Sequence, residues 1–142
     1  MTNASQQLEA VSAPADDGSR PIKDIIGDLS KPVNPKRLKT KPATKTGGQL
    51  TYLPWYQAVR YLDNYAPGWR YEIRSVAQVG DNLVMTVRIT VPCAEGEVWR
   101  EASALEKIED SKRYGDAATN AESAALRRAA AKFGLCLNLY DK

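Results

Sequence analysis

Three cations near the C-terminus, Arg127, Arg128 and Lys132, are the residues whose type and spacing best suit a chemical task. That task is holding an anion. Arg presents a planar fork of donors that matches phosphate, and Lys adds a compact charge on a flexible stem. Bond-breaking is poorly provided for. The chain has no His, which removes the commonest general base and metal ligand. Gly47-Gly48 lacks the Gly-Lys-Ser/Thr ending of a phosphate-binding loop. Glu95, Glu97, Glu101, Glu106, Glu109 and Asp110 form an acidic stretch. It suits a divalent cation or, better, a solvated surface. Cys93 and Cys136 stand far apart, outside any metal-ligand spacing, and read as free thiols of a reducing compartment. Cys136 has no basic neighbour in sequence to activate it, so a buried structural thiol is expected. Composition therefore points to a binding protein without metal or cofactor, not to an enzyme.

The cations must be carried by a helix. Thr119 and Glu122 have capping-box spacing. The following run is rich in Ala, the best helix former. Gly134 suits the left-handed position beyond a C-terminus. At about 100° per residue, Leu126, Ala129, Ala130 and Phe133 share one face. Arg128 and Lys132 point away from that face, and Arg127 lies on its shoulder. A solvated helix face would carry the same residues, so the cluster alone does not decide its use.

Charge is unevenly distributed. The 142 residues carry 20 Lys/Arg and 17 Asp/Glu, a net charge of +3. Residues 1–50 hold eight of the bases and five of the acids, and residues 51–142 hold twelve of each. All the excess lies in the N-terminal portion, and between Lys31 and Lys45 there are six bases and no acid. A polyanionic partner fits, provided the folded part binds through a local cluster. Residues 1–47 are poor in aromatics and rich in polar residues and Pro, which predicts a flexible basic arm. Lys36, Arg37, Lys39, Lys41 and Lys45 of that arm would raise affinity for a polyanion or serve solubility. Ile22, Ile25, Ile26 and Leu29, at near-helical spacing, are an exception able to dock on the body or on a neighbouring copy.

The folded domain is expected over residues 48–142. Pro54 opens a helix in which Trp55, Val59 and Leu62 recur at helical spacing, and Pro67-Gly68 ends it. The period then becomes two. Trp69, Tyr71, Ile73, Ser75, Ala77 and Val79 alternate with Arg70, Glu72, Arg74, Val76 and Gln78, as in a half-buried strand. Gly80-Asp81-Asn82 turns into a second strand, Leu83 to Val91, and Pro92 to Gly96 into a third, Val98 to about Leu105. The polar stretch 106–118 leads to the Arg-bearing helix. The fold class is α+β: helix, three-stranded antiparallel meander, helix, with one sheet face covered. No apolar run approaches the roughly 20 residues that span a bilayer, and the polar stretch Met1–Ala15 is unlike a secretory signal.

Eight aromatics between Tyr52 and Trp99 offer stacking surfaces for bases. Packing in the core or between subunits is the stronger expectation for Trp55, Trp69 and Trp99. The same element order occurs in double-stranded RNA-binding modules, whose second helix meets phosphates. Here its N-terminal end carries Asp116 and Glu122, and the cations lie in mid-helix, which argues against that use. A structural ring scaffold is the other alternative.

Residues 48–142 resemble the single-strand annealing domain of the Rad52 family, including its small bacterial and phage DdrA-like relatives. Gly47-Gly48-Gln49 through Tyr52-Leu53-Pro54 is similar to the family's lead-in to its first helix. Gly68-Trp69 with Tyr71-Glu72-Ile73 is similar to the turn into the first strand. Val84 to Val91 and Trp99-Arg100-Glu101 are similar to the central hairpin and third strand. The most specific segment is Ala121-Glu122-Ser123 through Leu126-Arg127-Arg128-Ala129 and Phe133-Gly134, ending at Leu139-Tyr140-Asp141-Lys142. The resemblance implies an ATP-independent protein that binds single-stranded DNA and anneals complementary strands as a homo-oligomeric ring, in recombination and double-strand-break repair. It implies that Arg127 and Arg128 line the DNA groove. Ala131 stands where some relatives carry a further Arg, with Lys132 as its substitute. Lys112 and Arg113 fall where relatives place a secondary DNA site, and Lys41 or Lys45 where relatives carry a basic residue before the Gly-Gly-Gln lead-in. A single-strand-binding protein or a recombinase is a candidate partner. The implied location is cytoplasmic and nucleoid-associated, in a bacterium or phage. The chain stops soon after the last helix, so the partner-recruiting tail of longer relatives is expected to be missing.

Overall fold

A computed structural model describes residues 19–43, 47–108 and 116–141. Three strands form the main sheet: β3 (Arg70–Val79), β4 (Asn82–Cys93) and β5 (Gly96–Lys107). They run antiparallel in the order β3-β4-β5. A separate two-stranded ribbon pairs β1 (Lys39–Pro42) with β2 (Gln49–Tyr52). The helices are α1 (Ile22–Leu29), α2 (Trp55–Tyr65) and α3 (Ala117–Ala131). The expected α+β order of helix, meander and helix is therefore present, with α1 and the ribbon preceding it.

The core lies between the sheet and the helices. On β4, Met85, Val87, Ile89 and Val91 are buried, and Ala102 and Ala104 of β5 lie beside them on the same face. Ala121, Ala125, Ala129 and Ala130 of α3 pack over this face, and Phe133 and Leu126 fill the space the small side chains leave. Ala does two things here: it favours the helix and lets its axis approach the sheet closely. The expected apolar face of Leu126, Ala129, Ala130 and Phe133 is buried throughout.

Local signals need correction at four points. The N-cap of α3 is Asp116, whose Oδ1 accepts the Thr119 N–H at 2.7 Å while Oδ2 accepts the Thr119 hydroxyl at 3.0 Å. Glu122, expected to close a capping box, instead accepts the Tyr71 hydroxyl at 2.8 Å and ties β3 to α3. In α2 the buried residues are Ala58 and Leu62, whereas Trp55 is 49% exposed and meets Tyr56 edge-on. Along β3 the alternation breaks at Arg74. Ile73 pairs with Val87 and Ser75 with Thr86, so Arg74 is a bulge. The extra residue puts Tyr71, Ile73 and Val76 on the helix side and turns Ser75, Ala77 and Val79 outward. All ten residues of β3 are exposed, because it is an edge strand at the limit of the helical layer.

The boundary at residues 47/48 also needs revision for the described part of the arm. Ile25 and Leu29 of α1 are 2% and 1% exposed and belong to the core. The Ile22 N–H donates to Glu95 Oε1 at 2.8 Å, and the Ala94 N–H to the Arg20 carbonyl at 2.8 Å. Ser30 at the end of α1 comes so near Gly134 that a Cβ there would collide with its hydroxyl. Gly134 also has φ +107°, the left-handed position expected beyond α3. Four apolar residues on one helical face thus outweigh the polar composition around them. Of the docking sites open to these isoleucines, the chain's own body is the one occupied. Residues 1–18 lie outside the described residues.

Candidate nucleic-acid interface

The C-terminal half of α3, the β1–β2 ribbon and the terminal 3-10 turn Leu137–Tyr140 enclose a cleft of about 350 Å³. Arg127 and Arg128 enter it from α3, Lys41 from β1, Tyr52 from β2 and Tyr140 from the terminal turn. Leu53, Ala130, Leu135 and Cys136 contribute its apolar lining. The Tyr52 ring organises the cations. Arg127 Cζ lies 5.2 Å from its centroid and Lys41 Nζ also 5.2 Å, both within cation–π reach.

The electrostatics of the cluster follow from crowding. Burial lowers the pKa of the Arg127 guanidinium from its ordinary value. Tyr140 and Tyr52 oppose the shift, and neighbouring Arg128 adds to it. Arg127 nonetheless stays cationic, as guanidinium does in proteins. Burial likewise lowers Lys41, the positive charge of Arg127 lowers it further, and Glu106 acts in the opposite sense. Two cations are thus held near one ring and repel each other, a suitable arrangement for an anion placed between them. Arg128 is exposed and also lines a second, more open depression of about 260 Å³ with Lys132, Ser103, Leu137 and Tyr140.

The residues anticipated for this task separate into groups. Arg127, Arg128 and Lys41 come together. Lys132 stands apart from the main cleft: its Nζ donates to the Glu101 carbonyl at 2.7 Å, while Arg100 donates to the carbonyl of Lys132 itself. Lys132 thereby fastens α3 to β5 and presents only its remaining donors beside Arg128. Ala131 is buried. Lys45, Lys112 and Arg113 lie outside the described residues. Tyr140 was not anticipated, and the spacing of a terminal 3-10 turn gives no signal that its ring will return over α3. The described basic residues of the arm are also not loose. Arg37 donates to Gln57 Oε1 at 2.9 Å and lies over Tyr61, and Lys39 lies over Tyr56.

On the sheet face away from the helices, Arg88 bonds Glu101 at 2.7 Å and lies over the exposed Trp99 ring at 3.7 Å. Arg74 reaches both Glu72 and Glu101. Among the described residues that face is a compensated network and offers no free cationic cluster. Among the described residues no group of three or more Cys, Asp or Glu is placed to hold a metal ion. No helix among them is long and apolar enough to cross a membrane.

The α+β domain thus brings arginines of one helix and a lysine of a strand ribbon to one cleft, a cationic arrangement of a kind that can hold an anion. A profile described as Rad52/22 family double-strand break repair protein matches residues 21–142, and the chain belongs to that family. The match begins at α1, in keeping with α1 being part of the body. The chain is similar to two proteins of Arabidopsis thaliana. It is 37% identical over 126 residues to the mitochondrial DNA repair RAD52-like protein 1, covering 87% of this chain and 70% of the relative. It is 36% identical over 126 residues to the chloroplastic DNA repair RAD52-like protein 2, covering 87% of this chain and 63% of the relative. Family membership carries a general role in DNA repair and recombination by strand annealing. Both relatives are from a plant, so the expected bacterial or phage branch and location find no support in them.

Proposed function

We propose that this chain binds single-stranded DNA in the Arg127–Arg128–Lys41 cleft and anneals complementary strands without nucleotide or metal, as an oligomeric ring. The observation that carries the reading is the convergence of three cations from two separate elements on one cleft, two of them, Arg127 and Lys41, over the Tyr52 ring. Annealing breaks no covalent bond, so the lack of His and of an activated nucleophile is no handicap. It requires phosphates to be held while base edges remain free to pair. Three cations per subunit are a weak grip, and a ring that repeats them gains through effective concentration. The exposed β3 edge supports assembly, since a head-to-tail contact that closes on itself makes a ring. A duplex-RNA module is disfavoured by the Asp116 carboxylate at the N-terminus of α3, where such modules meet phosphate.

The test is fluorescence annealing of two complementary oligonucleotides, together with the mass of the protein in solution. Wild-type protein is expected to accelerate annealing as a large oligomer. Arg127→Ala with Arg128→Ala should keep the oligomer and lower strand affinity at least about tenfold. The salt slope should fall by about 0.7 for each phosphate that is no longer neutralised. Normal binding by the double variant at physiological salt would remove the cleft from the function. Binding of duplex RNA by a monomer, without annealing, would transfer the function to the RNA module.

A further inference from the structure

The cationic residues of β1 and of the 3-10 turn Pro35–Arg37 before it form a second feature that begins at the cleft and extends beyond it. Between Asp28 and Asp63 the sequence has seven Lys/Arg and no acid. Three of these bases, Arg37, Lys39 and Lys41, recur at every second position. Each is seated on a different tyrosine: Arg37 5.8 Å from the Tyr61 ring, Lys39 5.5 Å from Tyr56, and Lys41 5.2 Å from Tyr52. Lys39 and Lys41 share one face of β1, two residues or about 6.8 Å apart along the strand. That step is comparable with the phosphate step of an extended single strand. The row therefore starts in the cleft, at Lys41, and leaves it along β1 toward α2.

Its side chains are positioned in advance. Arg37 is fixed by both Tyr61 and Gln57 and keeps further guanidinium donors. A hydrogen bond with the Tyr56 hydroxyl raises the Lys39 pKa, so its charge is secure. Arg37 and Lys39 are exposed, and none of the ion pairs found among the described residues uses either one. Beside them Tyr56 and Trp55 are 37% and 49% exposed, with Trp55 set edge-on to Tyr56. Cations interleaved with accessible rings suit a strand that offers phosphates and unpaired bases together.

We propose that Arg37 and Lys39 form a second phosphate-binding segment, continuous with Lys41, that carries a single strand out of the cleft and along β1 toward Trp55. This inference rests on the reading of the cleft as a single-strand site. It adds two phosphate contacts per subunit and assigns Tyr56 and Trp55 to the bases beside them.

The test is the salt dependence of binding of a fluorescent oligo-dT by the full chain between 50 and 200 mM NaCl. Arg37→Gln with Lys39→Gln should weaken binding at 50 mM and make the slope shallower by about 1.4 per subunit engaged, so the deficit against wild type shrinks about sevenfold by 200 mM. The charge-keeping pair Arg37→Lys with Lys39→Arg should restore the wild-type slope, which a loss of folding would not allow. Wild-type binding with an unchanged slope in the Gln variant overturns this segment alone. Wild-type protein that binds no oligo-dT overturns the reading of the cleft, and the segment with it.

Discussion

Cys136 lies in the apolar lining of the cleft, in a left-handed conformation at φ 54°. Burial pushes its thiol up to about 11, against about 8.5 for an unfolded chain. The folded protein therefore holds this proton more tightly than the unfolded one. The associated stability is complete below about pH 8.5 and is lost progressively as pH rises toward about 11. At pH 7.5 the native thiolate fraction is smaller by about two orders of magnitude than in the unfolded chain, and the thiolate is the nucleophile. Alkylation of Cys136 by iodoacetamide, followed by mass spectrometry, should be at least about a hundredfold slower in native protein than in guanidinium. Equal rates would show that the cleft lining opens to solvent. A buried thiol was legible in the sequence, since no base adjoins Cys136 to suggest a nucleophile. The cap of α3 was legible only in part. Thr119 and Glu122 have the right spacing, but Asp116 competes for the same backbone donor and holds it, freeing Glu122 for Tyr71.

At the scale of elements, α1 tests where the folded body begins. Leu29 is 1% exposed, and truncating a buried Leu costs about 2–5 kcal/mol. Leu29→Ala should lower the urea midpoint accordingly, whereas a residue in a flexible arm would shift stability by less than about 0.5 kcal/mol. Composition averaged over residues 1–47 obscures this helix, because eight ordered residues are diluted by the polar sequence on either side. The periodicity of Ile22, Ile25, Ile26 and Leu29 reveals it. The β4 pattern was read directly, since its apolar residues face the helices without interruption from Met85 to Val91. The β3 pattern was not, because alternation assigns faces only while the register is continuous. The bulge at Arg74 is set by pairing with β4, which a single strand's sequence does not contain. The ribbon was missed for a related reason. Its strands are four residues each, and Lys-Thr-Lys-Pro has no apolar period to detect.

On the scale of the whole molecule, β3 leaves Ile73, Val76 and Val79 exposed along a sheet edge. Long apolar edges invite pairing with another chain, and a charge on such an edge opposes it. Val76→Lys with Val79→Lys should reduce the mass in light scattering toward that of a single chain, while circular dichroism stays that of the wild type. An oligomer of unchanged mass would place the contact elsewhere. The cleft has its own consequence for the molecule. Lys41 and Arg127 come from elements far apart in sequence, and folding forces their like charges together beside Tyr52. Their repulsion, partly offset by Glu106 in the lining of the same cleft, works against the native state and is weaker in the unfolded chain. A ligand that neutralises the pair removes that burden as it makes its own contacts. By thermodynamic linkage, a polyanion bound at the proposed site would also stabilise the fold, helping to keep ribbon and helix in register.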